Sequence, residues 1–177
     1  DLTTPLMGTK AYADGKSVDV VHVHVYQHGT NGELTYIQPN ATTPTPSKDV
    51  RMTNGAATYN TRLVTGQTYT FVFWAEKKDC GYYRYYPDTQ TVEVSYANAA
   101  GNDESRDAFY AVLPNVTING AYSANVTLNR PFAQINFGAS DYDAAKAAGI
   151  TVTGASVKLT GIGNSINLLN GEVTGEE

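Results

Sequence analysis

Three histidines on one extended segment are the side chains of this sequence best suited to bind a metal. His22, His24 and His28 lie at even spacing, so on a β-strand they project from one face. Imidazole nitrogens are common zinc ligands, and zinc held by His22 and His24 would support metal-assisted hydrolysis. The alternative is a hydrated strand face with polar side chains at alternate positions. Since the spacing locates no further ligand, we expect neither a metal nor another cofactor.

The densest group of carboxylates lies in a polar segment of the middle of the chain. Asp103, Glu104 and Asp107 surround Arg106. Two carboxylates in different environments can divide acid and base roles, and calcium also binds carboxylates. The sequence, however, has no Asp-x-Asp-x-Asp-Gly calcium loop. We therefore expect a solvated loop or a turn of helix, held by local ion pairs.

No other motif of the sequence indicates catalysis. Gly161-Ile162-Gly163 lacks the third glycine of a dinucleotide-binding loop, and there is no Gly-x-Ser-x-Gly nucleophile motif. Cys80 is the single cysteine, which excludes an intrachain disulfide and a multi-cysteine metal site. We expect it to be a packing residue. We predict that the protein is not an enzyme, and we assign no catalytic residue.

A cluster of aromatic residues is the best candidate for a contact with a ligand or partner. Its members are Tyr82, Tyr83, Arg84, Tyr85 and Tyr86. On a strand, alternate members face opposite ways, so half of the tyrosines can lie in the core and half in solvent. Exposed tyrosine and arginine are typical of protein interfaces and of surfaces on which sugar rings stack. The alternative is a strand end whose tyrosines cover the edge of the fold.

Length and charge limit the classes of partner. The chain has 177 residues, and its 12 Lys and Arg against 17 Asp and Glu give a net charge of −5. It lacks the basic surface with which proteins bind nucleic acids or anionic lipids. The longest apolar run, residues 71–75, is far shorter than the ~20 residues of a membrane-spanning helix. We expect no nucleic-acid partner and no membrane-spanning segment.

Alternation of apolar and polar residues predicts strands along most of the chain. It is found in residues 21–26, 57–63, 91–96, 123–128 and 133–137. Residues 69–75 are apolar at nearly every position, which predicts a central strand covered on both faces. One helix is predicted over residues 141–148. Ser140 and Asp143 form a capping-box pattern at its start, and Gly149 is its C-terminal stop.

Asn-Gly pairs favour tight type I′ turns and indicate hairpins. They occur at Asn31-Gly32, Asn54-Gly55, Asn119-Gly120 and Asn170-Gly171. The second pair predicts a two-residue turn with Met52 opposite Ala57. The fourth predicts a two-residue turn with Leu168 opposite Val173.

The third Asn-Gly pair fits a longer turn better. A three-residue loop over residues 119–121 pairs Ile118 with Tyr122, whereas a two-residue loop would oppose Val116 with the polar Ser123. Short strands, hairpin turns and one short helix together predict an all-β fold. We expect an antiparallel β-sandwich of the Greek-key type, formed by residues 1–177 as a single domain.

Three groups of residues, taken in order along the chain, resemble a known family. The first is residues 9–15, Thr-Lys-Ala-Tyr-Ala-Asp-Gly, before the valine-rich strand. The second comprises residues 64–69, 72–75 and 102–109, and the third comprises residues 128–138 and 167–173. In this order they are similar to the N-terminal domain of fimbrillin-like (Mfa-like) surface proteins of the Bacteroidales, which include subunits of type V pili.

The resemblance implies a structural or adhesion protein without enzymatic activity. Members of the family are lipoprotein precursors exported to the cell surface, where they are anchored to the outer membrane or built into fimbriae. They have a transthyretin-like β-sandwich, usually followed by a second β domain. In pilus subunits, proteolysis removes an early strand, and the groove that it leaves accepts a strand from the next subunit.

The partners implied are other pilin subunits, joined by strand addition, or ligands on host or bacterial surfaces. The alternative function is a glycan-binding surface module that uses the cluster from Tyr82 to Tyr86.

Overall fold

The computed structural model describes residues 14–97, 99, 103–133, 135, 139–154 and 156–176. Within these residues the strands are β1 (Val20–His28), β2 (Leu34–Tyr36), β3 (Lys48–Arg51), β4 (Thr68–Glu76), β5 (Tyr83–Tyr86), β6 (Thr91–Val94), β7 (Phe109–Thr117), β8 (Ser165–Asn167) and β9 (Val173–Thr174). A 3-10 helix (Glu104–Arg106) precedes β7, and α1 (Tyr142–Ala147) follows it. All strands pair antiparallel, so the predicted all-β fold with one short α-helix is confirmed.

The larger sheet is built around β1 and β4. Its order is β2-β1-β4-β7, and β3 pairs with the first half of β1 on the edge that also carries β2. Between these two short strands, the N–H of Val25 donates to Ser47 Oγ at 2.9 Å and its C=O accepts from the N–H of Ile37 at 2.9 Å. The predicted central position of residues 69–75, in β4, is confirmed.

The smaller sheet has the order β5-β6-β8-β9. Tyr85 lies opposite Val92, which in turn lies opposite Ile166, so these three side chains share one face. That face packs on the larger sheet. The two sheets therefore form a sandwich.

Apolar and aromatic side chains fill the layer between the sheets. Its buried members are Tyr26, Val72, Trp74, Val92, Ala108, Ile166 and Leu168. A buried hydroxyl is costly unless it is hydrogen-bonded. The Tyr26 hydroxyl meets this requirement, because it donates to the C=O of Pro87 at 2.9 Å and lies 2.6 Å from the hydroxyl of Tyr85.

A second apolar cluster covers the opposite face of the larger sheet. Its buried members are Val18, Val21, Val23, Val25, Tyr69, Phe71, Ala75, Val116 and Ile118. In the described part of the chain, two segments without regular structure, residues 55–65 and 119–128, lie over this face. β1 is therefore covered on both faces, and the interpretation of its histidine face as a hydrated surface is wrong.

Two of the predicted strands are not strands in the structure. Residues 57–63 and 123–128 alternate in polarity but form no continuous ladder. Side chains hold the first segment instead, since the Tyr59 hydroxyl donates to the C=O of Pro46 at 2.7 Å and Lys48 Nζ donates to the C=O of Asn60 at 2.5 Å. The prediction for residues 133–137 falls in part on residues 134, 136 and 137, which lie outside the described residues.

The Asn54-Gly55 turn forms, but the hairpin predicted from it does not. Asn54 (φ 53°) and Gly55 (φ 75°) both have positive φ, as a type I′ turn requires, and Thr53 bridges to Ala56. The ladder ends there, and residues 57–63 lie over the apolar face of the larger sheet instead of pairing with β3. The predicted pairing of residues 52 and 57 is therefore wrong.

At Asn170-Gly171 the predicted register is wrong by two residues. Ile166, not Leu168, lies opposite Val173, and residues 168–171 form a four-residue loop. The cause is the packing of Leu168, which is 3% exposed in the layer between the sheets and donates its N–H to the C=O of Gln90 at 2.9 Å. A shift of two keeps every side chain on its predicted face.

The three-residue hairpin predicted at residues 119–121 is also not formed. The N–H of Ile118 donates to the C=O of Gln67 at 2.9 Å, so the chain stays paired with the start of β4, and Tyr122 is 53% exposed. Ile118 therefore pairs with Gln67 and not with Tyr122, its expected partner across the turn.

The predicted helix forms one residue later than its capping pattern indicates. α1 begins at Tyr142 with Asp141 as its N-cap, and no side chain caps it, so the predicted capping box of Ser140 and Asp143 is wrong. Gly149 (φ 77°) ends the helix as predicted. None of the described helices is long and apolar enough to cross a membrane.

Candidate functional site

An open groove lies over the outer face of the larger sheet. Its volume is about 1050 Å³. Alternate residues of three neighbouring strands make its floor: Val21 and Val23 from β1, Phe71 and Phe73 from β4, and Leu113 from β7. The strand period of two places these side chains on one face, and their register aligns them in rows.

The walls of the groove are the two segments without regular structure. They contribute polar side chains and backbone, which include Thr58, Tyr59, Asn60, Thr61, Tyr122, Ser123, Asn125 and Thr127. Burial of the Tyr59 ring raises the pKa of its hydroxyl to about 12, so the hydroxyl stays protonated and acts as a hydrogen-bond donor. The groove thus combines an apolar floor with walls of neutral hydrogen-bonding groups, and one carboxylate residue, Asp14, also belongs to its lining.

β7 presents backbone groups beside the groove. Tyr110 exchanges two hydrogen bonds with Asn129, at 2.8 and 2.9 Å, on the edge of β7 that faces away from β4. Since alternate residues of a strand direct their N–H and C=O the same way, those of Val112 point to this edge too. In the described part of the chain they have no hydrogen-bond partner. Pro114 and Asn115 (φ 57°) then interrupt the strand with a bulge.

The structure separates the aromatic cluster into two faces, as the alternation predicted. Tyr83 and Tyr85 face the larger sheet. Tyr83 packs edge-on against Trp74 at 5.1 Å, and Tyr85 stacks on His24 with ring centroids 3.7 Å apart. Burial raises the pKa of both tyrosines well above the ordinary value, so they are neutral core residues.

The other members of the cluster lie toward solvent. Arg84 is exposed and sits over the ring of Tyr86 at 5.0 Å, and the Tyr86 hydroxyl donates to Glu93 at 2.5 Å. Tyr82 contacts the carboxylate segment, where the guanidinium of Arg106 lies 3.8 Å from its ring. Of the five candidate contact residues, Arg84 and Tyr86 are therefore on the outer face of the smaller sheet.

The three histidines do not converge on one point. His22 lies between two carboxylates, with Nδ1 2.7 Å from Asp49 Oδ1 and Nε2 3.5 Å from Glu76 Oε1. These partners raise the pKa of His22 against an opposing effect of burial, which is the largest single influence. No group of three or more His, Cys, Asp or Glu among the described residues is arranged to hold a metal ion.

The other two histidines have neutral partners. Burial, with a smaller contribution from His22, lowers the pKa of His24 to about 3, so it is uncharged and its Nδ1 lies 3.1 Å from the Tyr36 hydroxyl. His28 Nε2 lies 2.8 Å from Thr70 Oγ1. Hydrogen bonds and ring stacking thus hold these side chains, and the Nε2 of His24 is buried without a hydrogen-bond partner among the described residues.

The carboxylate segment forms the expected turn of helix with local ion pairs. Asp103 caps the 3-10 helix, and its bond with Ser105 lowers its pKa. Arg130 binds Asp107 through two nitrogens at 2.7 and 2.8 Å. Arg106 donates to backbone carbonyls of residues 95 and 97. These contacts join segments of the chain that are distant in sequence.

Cys80 is a free, half-buried thiol. Burial raises its pKa, which disfavours the reactive thiolate. This agrees with its interpretation as a packing residue.

Sequence reasoning did not find the groove or the polar residues on the outer face of the smaller sheet. Arg84, Glu93 and Ser165 lie directly opposite one another across three strands. The alternation of β5 and β6 could have placed Glu93 beside the tyrosine cluster, but Ser165 is more than 70 residues away in the chain, and only the pairing of β6 with β8 brings it there.

Comparison with known proteins identifies a family without a known activity. No curated protein and no solved structure matches the chain significantly. One family model matches residues 4–177, nearly the whole sequence. The chain therefore belongs to the family of unknown function DUF6562.

Proposed function

We propose that the chain is a non-enzymatic protein of the bacterial cell surface, a fimbrial subunit or fimbrillin-like lipoprotein, which assembles by accepting a β-strand in the groove of the larger sheet. The observation that carries this proposal is an apolar floor beside a short stretch of the β7 edge, at Val112, whose backbone has no partner among the described residues. An added strand would use its backbone to pair with β7 near Val112 and its alternate side chains to cover Phe73 and Leu113.

The order of the motifs from residue 9 to residue 173 supports the same proposal, because it resembles that of fimbrillin-like proteins. The groove chemistry is compatible with it. Apart from Asp14 the lining is neutral, and its apolar floor and hydrogen-bonding walls suit an extended peptide, whose backbone forms hydrogen bonds while alternate side chains enter apolar pockets.

Peptide addition can be tested with a fluorescein-labelled nine-residue peptide of alternating valine and threonine. We expect saturable binding by fluorescence anisotropy, and no saturable binding of a peptide in which the same residues are grouped. Leu113→Lys places a charge in the apolar floor, where a bound strand would separate it from water, and should abolish binding.

Val64→Lys is the matched control, because Val64 is 63% exposed and lies outside the groove lining. This variant should bind like the wild type. Circular dichroism must show that both variants are folded. Failure of the alternating peptide to bind, or equal binding by the two variants, would contradict strand addition.

The surface location requires a separate experiment. Brief protease treatment of intact cells that produce the protein should release its peptides into the medium, whereas peptides of a cytoplasmic marker should stay in the cells. Release of this chain only after the cells are broken would contradict a location on the surface.

We propose glycan binding as the second candidate function. It is favoured by the outer face of the smaller sheet, where Arg84, Tyr86, Glu93 and Ser165 form a flat surface of aromatic, charged and hydroxyl groups. Such groups recognise sugars by ring stacking and by hydrogen bonds. The buried Tyr83 and Tyr85 would only support this surface.

A glycan array distinguishes this candidate from strand addition. Binding to defined glycans should be lost in Tyr86→Ala and kept in Tyr122→Ala, since Tyr122 is an exposed tyrosine of the groove wall. An array without any signal above background, or equal loss in both variants, would refute glycan binding at this face.

A further inference from the structure

His22 connects three strands of the larger sheet through its two ring nitrogens. Its Nδ1 lies 2.7 Å from Asp49 on β3, and its Nε2 lies 3.5 Å from Glu76 on β4. Glu76 is 9% exposed, and its second carboxylate oxygen accepts a hydrogen bond from the Trp74 indole at 2.8 Å. The side chain of Asp49, in contrast, is 67% exposed.

A doubly protonated imidazole suits this arrangement better than a neutral one. Each ionised carboxylate is only an acceptor, and a neutral histidine has one N–H, so one of its nitrogens would face a carboxylate as acceptor against acceptor. The doubly protonated ring donates from both nitrogens at once. Within the described part of the chain, the ion pair of Asp49 and the ion pair of Glu76 are both with His22.

We propose that Asp49, His22 and Glu76 form a proton-dependent latch, which holds the edge strand β3 on β1 while His22 is protonated and releases it when His22 loses its proton. β3 is the element at risk because it is short and pairs with β1 over only four residues. Glu76 has less access to water than Asp49, so leaving it without a charged partner costs more, and the remaining N–H of His22 closes on Glu76 from 3.5 Å. The exposed Asp49 then turns to solvent.

The groups around His22 favour this assignment. His24, two residues along β1, is stacked on Tyr85 and uncharged. Arg51, the remaining ionisable residue of β3 on the side of Asp49, lies opposite Val20. From the smaller sheet, Tyr83 and the preceding Cys80 approach Glu76, and both are protonated near neutral pH because burial raises their pKa. Asp49 and Glu76 are thus the charges that His22 senses.

The direction of the effect follows from the raised pKa of His22. The latch is closed below the ordinary imidazole pKa of 6.5 and opens as the pH rises through the higher value of the folded protein. The fold as a whole persists, since β4 and β7 keep their own pairing.

Hydrogen exchange of the full chain, followed by NMR, tests the latch. Exchange rates of residues 48–51, corrected for intrinsic rates, are divided by those of β6, which has no contact with the latch. We expect this ratio to rise several-fold between pH 6 and pH 9, because the 2.7 Å contact between His22 and Asp49 weakens as the ring loses its proton. The His22 ring resonance should titrate with a midpoint above 6.5.

Asp49→Asn and His22→Gln should both remove the pH dependence of the ratio, and Asp49→Asn, at an exposed position, should also lower the His22 midpoint. His28→Gln is the matched control, because His28 is on the same strand but contacts Thr70 and no carboxylate. It should behave like the wild type. A ratio that does not change with pH in the wild type, or that still changes in Asp49→Asn, would overturn the proposal.

Discussion

Tyr85 and Tyr86 show how adjacent residues of one type acquire different roles. The Tyr85 ring stacks on His24 and its hydroxyl bonds with Tyr26 in the layer between the sheets. The Tyr86 ring lies under Arg84 on the outer face. The difference comes from the strand period alone, since neighbours on β5 face opposite ways.

Removal of the two hydroxyls should therefore have different effects. Tyr85→Phe loses a buried hydrogen bond and should lower the free energy of unfolding by about 1 kcal/mol. Tyr86→Phe, whose hydroxyl is at the surface, should leave it unchanged within error. Urea unfolding measures both. Equal losses of unfolding free energy in the two variants would mean that the two hydroxyls do not differ in burial.

His24 should make the protein sensitive to acid. Its pKa falls to about 3 in the folded chain from the ordinary 6.5, so the unfolded chain binds more protons between these values. Stability is then fully present above pH 6.5 and is lost as the pH falls toward 3.

His24→Phe should flatten this dependence, because phenylalanine keeps a ring against Tyr85 and cannot be protonated. The comparison is urea unfolding of wild type and variant at pH 7 and pH 4.5. Protonation of the carboxylates lowers the stability of wild type and variant alike. The difference in acid sensitivity between the two proteins is therefore the contribution of His24. A variant as sensitive to acid as the wild type would contradict the assignment.

At the scale of elements, the turn at Asn54-Gly55 is fixed by backbone conformation. Gly55 has φ 75° and no atom lies within 4 Å of the position of a Cβ, so an added methyl group meets only the backbone restriction. Gly55→Ala should therefore lower the free energy of unfolding by about 1–2 kcal/mol. Gly120→Ala is the control, because its surroundings are equally open and its φ is not positive. Thermal unfolding should distinguish them.

The sequence predicted elements best where a local pattern decides them. The continuous apolar run of β4, the positive φ of Asn54 and Gly55 and the glycine after α1 are properties of a few adjacent residues. Residues 57–63 and 123–128 show why alternation is not sufficient. It describes two faces of a segment, but a strand also needs a neighbour for its hydrogen bonds, and that depends on distant parts of the chain.

The candidate sites were also only partly predictable, because they too depend on contacts between distant parts of the chain. The parity of His22 and His24 was predictable, but the smaller sheet that covers this face was not. The groove floor joins Val21, Phe71 and Leu113, which meet only through the pairing of β1, β4 and β7. A pattern along the chain cannot report that contact.

At the scale of the whole molecule, β4 belongs to two apolar layers. Val72 and Trp74 face the smaller sheet, and Phe71 and Ala75 belong to the apolar cluster on the opposite face. Loss of either layer exposes one face of the central strand. The two layers should therefore unfold together.

Trp74 gives a direct measure of this cooperativity, because it is the single tryptophan and is 2% exposed between the sheets. Its fluorescence and the far-UV circular dichroism should change with the same midpoint in urea, as in a two-state transition. If the circular dichroism signal falls at a lower urea concentration than the fluorescence, the layers are independent.

The divided edge of β1 has a consequence for how the protein behaves at high concentration. An uninterrupted outer strand is a template on which other chains can stack side by side into aggregates. Here β2 and β3 are each too short to offer a long template, and the intervening backbone of Val25 is occupied by Ser47 and Ile37. This margin of the sheet is thereby protected from indiscriminate association between molecules.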